Sequence, residues 1–147
     1  MENRIKYKTR LAAIQLVSQQ LVNSQDIESI KNDFDKYYRN TVIDNSSEKV
    51  EYNVNFLSKL VDYFKRINSQ YIFEKINSLI NFDREFEKWD TINKAIILVA
   101  ISELRNSEKE KIKIILNDYL EVSKSFVSLK ETKLINSILD KLINEKK

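Results

Sequence analysis

Four basic residues, Arg4, Lys6, Lys8 and Arg10, fall within seven positions near the start of the chain with only Glu2 opposing them, and residues 11–25 then carry no charge at all. On a helix Arg4 lies one turn from Lys8, and Lys6 one turn from Arg10, so each pair repels. All four also sit where the helix dipole already presents positive potential, a cost of roughly 0.3–1 kcal/mol per unfavourable charge in an exposed first turn. Cations gathered against local stability point to an anionic partner, and phosphate is the common one. Tyr7 adds a ring able to stack on an unpaired base, as in readers of single-stranded RNA. A solvated helix start in a lysine-rich chain would show the same pattern, and the net charge of +3 favours nucleic acid only weakly.

Other chemistries find little material. Asp118 and Glu121, at i and i+3 on a helix, have the spacing of an acid and base pair, but such spacing is frequent on amphipathic helices and a solvated face accounts for it. The absence of Cys excludes thiolate zinc sites and cysteine nucleophiles, and the absence of His removes the commonest general base and most metal sites. Without glycine there is no glycine-rich phosphate loop. The reading is a non-catalytic protein with no metal or cofactor.

The elements that must position these residues are helical. At 147 residues, 42% hydrophobic and 32% charged, the chain fits one domain, residues 1–147, with one core. Zero Gly and zero Pro weigh against an all-β fold, whose hairpins normally recruit glycine. Apolar residues recur at helical spacing over 4–22, about 26–38, 48–66, about 69–80, 92–104, the segment IKIILNDYLEVSKSF with Phe126 on its stripe, and a last helix through Leu142. Asn23 and Ser24 should end the first helix. Asp26, Ser46 or Ser47, and Asp90 are placed to cap the second, third and fifth, and Ser107 with Glu110 has capping-box spacing. Trp89 looks like a hydrophobic staple before Asp90. The run RNTVIDNSSEK is the longest plausible loop. The expected fold is all-α, a compact bundle of six or seven helices. The opening MENRIKYKTR is too charged for a signal peptide and the longest apolar run, AIILVAI, too short for a membrane span, so a cytoplasmic protein without a membrane partner is expected.

The stretch KSFVSLKETKLINSILDKL needs a helix break yet holds no glycine or proline. Ser128 followed three residues later by Glu131 is a capping box that satisfies two backbone amides reciprocally.

Two stretches carry a resemblance. TRLAAIQLVSQQL at 9–21 resembles the first helix of the NusB family of bacterial transcription antitermination factors, where an arginine-rich start runs into Arg-x-Ala-Ala-Val-Gln-Ala-Leu-Tyr. NKAIILVAISEL with IKIILNDYLEVSKSFVSLKETKLINSILDKL resembles that family's Arg-Ala-Ile-Leu-Arg-x-Ala-x-Tyr-Glu-Leu helix and its Val-Ile-Asn-Glu-Tyr and Phe-Val-Asn-Gly-Val-Leu-Asp segments. The match is specific over residues 90–142 and rests on helix pattern alone over 24–88. The form looks most like alphaproteobacterial members.

The resemblance implies two packed helical subdomains that bind the boxA element of nascent ribosomal RNA together with NusE, a ribosomal small-subunit protein, within the RNA polymerase antitermination complex. It places Arg10 directly on the RNA face, with Lys8, Lys6 and Arg4 as basic equivalents and Gln15 as the family's glutamine. The turn before the last helix belongs to the same face, bringing Lys130 and Lys133, while Leu134 stands where the family has an aromatic. Ser18 and Asn93 replace a tyrosine and an acid on elements that the family turns toward NusE, and Leu98 or Val99 replaces an arginine, which should bury the central helix more fully. The alternative is a helical protein-interaction module with this fold and no RNA binding.

Overall fold

The stretch TINKAIILVAISEL forms a helix over Thr91–Leu104, and in the computed structural model, which describes residues 1–38, 51–79 and 89–144, this helix lies at the centre of the molecule. Of its fourteen residues eleven are buried, Leu98 and Val99 among them, because apolar side chains all round a helix demand neighbours on every side. The described residues form seven α-helices and no strand: α1 Asn3–Asn23, α2 Ile27–Tyr38, α3 Val54–Arg66, α4 Ser69–Leu79, α5 Thr91–Leu104, α6 Ile112–Lys124 and α7 Leu129–Asn144, with a 3-10 turn at Lys109–Lys111 ahead of α6. The fold is all-α.

Helix α5 packs on α1, α3, α6 and α7; α1 also meets α2, α3 and α6, and α4 rests on α7. One buried cluster contains residues of all seven helices, from Ile14 and Leu16 through Leu57, Ile72 and Ile97 to Tyr119 and Leu139. The early helices and the late ones are thus joined across α5 by a shared core. In α2, Ile27 and Ile30 are buried and Lys31 pairs with Asp35 at 2.6 Å, which in turn accepts the Tyr52 hydroxyl at 2.5 Å.

Short polar side chains supply the breaks that glycine would otherwise make. Ser24 takes the left-handed conformation at φ 55°, and its N–H donates to the Gln20 carbonyl at 2.8 Å, ending α1. Asp26 Oδ2 accepts the Ser29 N–H at 3.2 Å and so caps α2. Asn53 and Asn68 accept the N–H groups of Phe56 and Tyr71 at 2.8 and 3.0 Å, capping α3 and α4. The capping box at α7 forms: Ser128 Oγ accepts the Glu131 N–H at 3.1 Å, and Glu131 Oε1 accepts both the Ser128 hydroxyl at 3.0 Å and the Ser128 N–H at 3.4 Å.

Several expectations change. Helix α3 starts at Val54 rather than near residue 48, with Asn53 as its cap; Ser46, Ser47 and the run RNTVIDNSSEK lie outside the described residues. Asp90 precedes α5 but makes no side-chain cap bond, its backbone carbonyl instead accepting the Lys94 N–H at 3.2 Å. Ser107 and Glu110 form no capping box, because Ser107 Oγ donates back to the Glu103 carbonyl at 2.7 Å and extends the end of α5. Trp89 is half-buried against the core. Phe126 does not continue the α6 stripe: the helix stops at Lys124, and the turn sends Val127 toward the core and Phe126 outward.

Candidate nucleic-acid interface

The start of α1 is left open to an anion. Its N-cap, Glu2, makes no side-chain cap bond, and its first turn contains no acid. Free amides and positive dipole potential therefore face the same way as the basic side chains. Arg4, Lys8 and Gln15 recur at i, i+4 and i+11, one stripe of the helix; Arg4 and Gln15 are exposed and Lys8 is half-buried. Arg4 is partly engaged, donating to Glu51 at 2.7 Å with Glu2 at 3.6 Å; the Glu51 hydrogen bond, followed by its charge, raises the guanidinium pKa above its usual value. Lys6 and Lys8 make no ion pair among the described residues.

Arg10, which shares the opposite side of α1 with Lys6, turns inward. Its side chain is only 7% exposed. Nε and Nη2 donate to the two oxygens of Glu103 at 2.9 and 2.7 Å, and Nη1 donates to Asp118 at 2.6 Å. The guanidinium carbon also sits 5.2 Å from the ring centre of Phe56 and 5.7 Å from that of Tyr119. Burial by itself would lower the guanidinium pKa, but hydrogen bonding and charge from Glu103 outweigh it and hold the group further above its ordinary range. Tyr119 donates to Glu103 Oε1 at 2.6 Å, and burial, then the Glu103 charge, pushes its phenol well above 10. Arg10 therefore ties α1 to α5 and α6, with three of its five N–H donors engaged by carboxylates. The same network separates the two carboxylates that spacing had paired, since Asp118 faces Arg10 while Glu121 pairs with Lys124 at 2.9 Å in solvent.

Above this network lies a cleft of about 820 Å³ between α1, α3 and α6, bordered by Lys6, Lys59 and Lys111 and by Ile114 on its lip. Four basic and four acidic residues line it, so its lining carries no net charge.

A second basic group adjoins the start of α1. Tyr7 Oη and Ser125 Oγ share a hydrogen bond at 3.4 Å, which brings the first turns of α1 against the end of α6. The start of α7, beyond the turn that follows, carries Lys130 and Lys133, both exposed and without ion pairs among the described residues. Glu131, the acid between them, is occupied: one oxygen serves the cap, and the other accepts Asn93 Nδ2 at 2.8 Å. The Asn93 hydrogen bond, then those from Ser128, lower the Glu131 pKa below the usual carboxylate value.

Asn93 is thus buried, and it holds the α7 cap against the start of α5 while its Oδ1 lacks a partner. Ser18 is half-buried and its Oγ, also enclosed, makes no hydrogen bond. Leu134 is half-buried against the core. Tyr7, expected as a stacking ring, is half-buried with its hydroxyl engaged, whereas Phe126 projects from the turn. Sequence periodicity hid Phe126 because it falls in phase with α6; the signal that places it outside is its position two residues beyond the last helical residue.

The sequence model described as NusB family matches residues 7–144. The chain is similar to the transcription antitermination protein NusB of Rickettsia felis, 27% identical over 153 residues covering 97% of this chain and 95% of that protein. It is also similar to the transcription antitermination protein NusB of Rickettsia bellii, 29% identical over 150 residues covering 99% and 95%. A match that runs from Tyr7 in α1 to the end of α7, on an all-helical fold, means that the chain belongs to the NusB family.

Proposed function

We propose that this protein is a transcription antitermination factor that binds a boxA-type single-stranded element of ribosomal RNA together with NusE and supports transcription by RNA polymerase. Family membership makes it a regulatory protein rather than an enzyme. The observation that carries the RNA reading is the start of α1, with no side-chain cap and no acid in its first turn, whose Arg4, Lys6 and Lys8 adjoin, through the Tyr7 to Ser125 hydrogen bond, the start of α7 with exposed Lys130 and Lys133. Mobile lysines and helix-terminal amides bind phosphates without reading sequence, while bases are read by edge contacts and stacking. Arg10 enters this reading as the residue that fixes α1 in place, and Gln15, exposed on the stripe of Arg4 and Lys8, is a candidate RNA contact.

Ser18, half-buried on α1, and Asn93, which ties α5 to the α7 cap, stand as candidate residues on the NusE side. No helix among the described residues is long and apolar enough to cross a membrane.

The test is an equilibrium titration of labelled boxA RNA at two salt concentrations, with and without NusE. Binding should weaken steeply with salt, tighten when NusE is added, and lose roughly 0.7 of log–log salt slope for each phosphate-contacting lysine neutralised. Absent or salt-insensitive RNA binding alongside a stable NusE complex would leave the protein-interaction module as the function.

A further inference from the structure

Two large apolar side chains stand in solvent where α6 gives way to α7, Phe126 of the turn at 45% exposure and Leu129, the first residue of α7, at 63%. Folding does not need them there. The turn closes through backbone bonds from Phe126 and Val127 N–H to the Ser123 carbonyl at 3.0 and 2.9 Å, and Val127 alone supplies the inward apolar contact.

The turn is also fixed on both sides. Ser128 and Glu131 lock its exit, Asn93 holds Glu131 from α5, and Tyr7 reaches Ser125, the residue next to Phe126, from α1. A ring that projects from so constrained a backbone has only its own side-chain torsions to fix when a planar ligand covers it.

The surrounding charge selects the ligand. Lys130 and Lys133 are exposed without ion pairs among the described residues, Lys124 is balanced by Glu121, and the nearest acid in sequence, Glu131, is consumed by its cap and by Asn93. A flat apolar face bordered by free cations suits a nucleobase with its flanking phosphates, since every base offers a π-face and every linkage a negative charge.

We propose that Phe126 is a stacking platform for one unpaired base of the bound RNA, with Leu129 extending the apolar surface and Lys130 and Lys133 meeting the adjacent phosphates. This rests on the RNA-binding reading above and adds to it the residue that contributes affinity without charge.

The experiment compares the full-length protein with Phe126→Ala, Phe126→Leu and Phe126→Trp in titrations of single-stranded boxA RNA at two salt concentrations, with thermal unfolding as a check of folding. Phe126→Ala should leave the unfolding midpoint near that of the parent, weaken RNA binding roughly tenfold or more, and leave the salt slope unchanged, since a stack releases no counterions. Phe126→Trp should restore affinity, and its added indole emission should be quenched by RNA; Phe126→Leu should not restore it. Equal affinity of Phe126→Ala and the parent overturns the proposal, as does full rescue by leucine, which would mark a merely apolar contact. If the parent itself fails to bind RNA, the functional reading falls and this proposal with it; if the parent binds and the variants match it, only this proposal falls.

Discussion

At the scale of single residues, the clearest consequence concerns Arg10. Its three short bonds set one positive charge against the carboxylates of Glu103 and Asp118, of which Glu103 is almost fully enclosed. Removing one partner of a buried pair leaves charge without compensation, so Arg10→Ala should cost about 3–5 kcal/mol of stability in denaturant unfolding. Arg10→Lys should recover little of it, because an ammonium cannot make the bidentate contact with Glu103. Arg4→Ala, in solvent, should barely move stability; the contrast would mark Arg10 as structural, and equal effects of the two would refute that. Glu131 gives a pH-dependent counterpart. Its folded pKa is lowered, so its contribution is full above the unfolded value of about 4.3 and is lost as pH falls through the folded one. The stability difference between the parent and Glu131→Gln should therefore shrink on acidification below about pH 4.3, whereas a difference that stays constant would assign no role to the charge.

At the scale of elements, helix ends in a chain without glycine or proline depend on single polar side chains. Ser24 adopts a left-handed conformation that costs a residue with Cβ roughly 1 kcal/mol relative to glycine, so Ser24→Gly should raise stability by up to about that amount. A fall in the unfolding midpoint would show that the serine side chain contributes more than its backbone strain costs. Ser128→Ala removes the hydroxyl that accepts the Glu131 N–H and should cost about 1 kcal/mol, read as a loss of midpoint in urea. The two ends differ in how far they could be read. The capping box was legible because serine and glutamate at i and i+3 act on each other's backbone, a relation complete within four residues. Asp90 had the right type and position yet makes no side-chain cap bond, since residue type states what a side chain can accept and not which rotamer its surroundings leave it.

At the scale of the whole molecule, α5 is the element on which the others depend. Ile97 is fully buried in a cluster that draws on all seven helices, so Ile97→Ala should cost about 2–5 kcal/mol while unfolding remains a single transition. Two resolved transitions would instead mean that the early and late helices have separate cores. The same shared core decides which basic residues remain available at the surface. Because α1 packs on α5 and α6, Arg10 is drawn into contact with Glu103 and Asp118, while Arg4 stays exposed.

The helices, most of their stops and the identity of the central buried element followed from the sequence alone, because apolar periodicity and side-chain caps act between residues a few positions apart. The resemblance likewise named the basic start and the α6–α7 turn as one face. Which cations on that face are free did not follow. Arg10 reads like Lys6 or Lys8 until the fold brings Glu103, 93 residues away, and Asp118, 108 residues away, against its guanidinium. Asn93 reads as a surface substitution until Glu131, 38 residues away, claims its amide. Phe126 reads as core until its helix ends two residues before it. Charge and apolarity belong to the residue, but whether they are matched or left to solvent depends on distant partners, and only tertiary packing decides those.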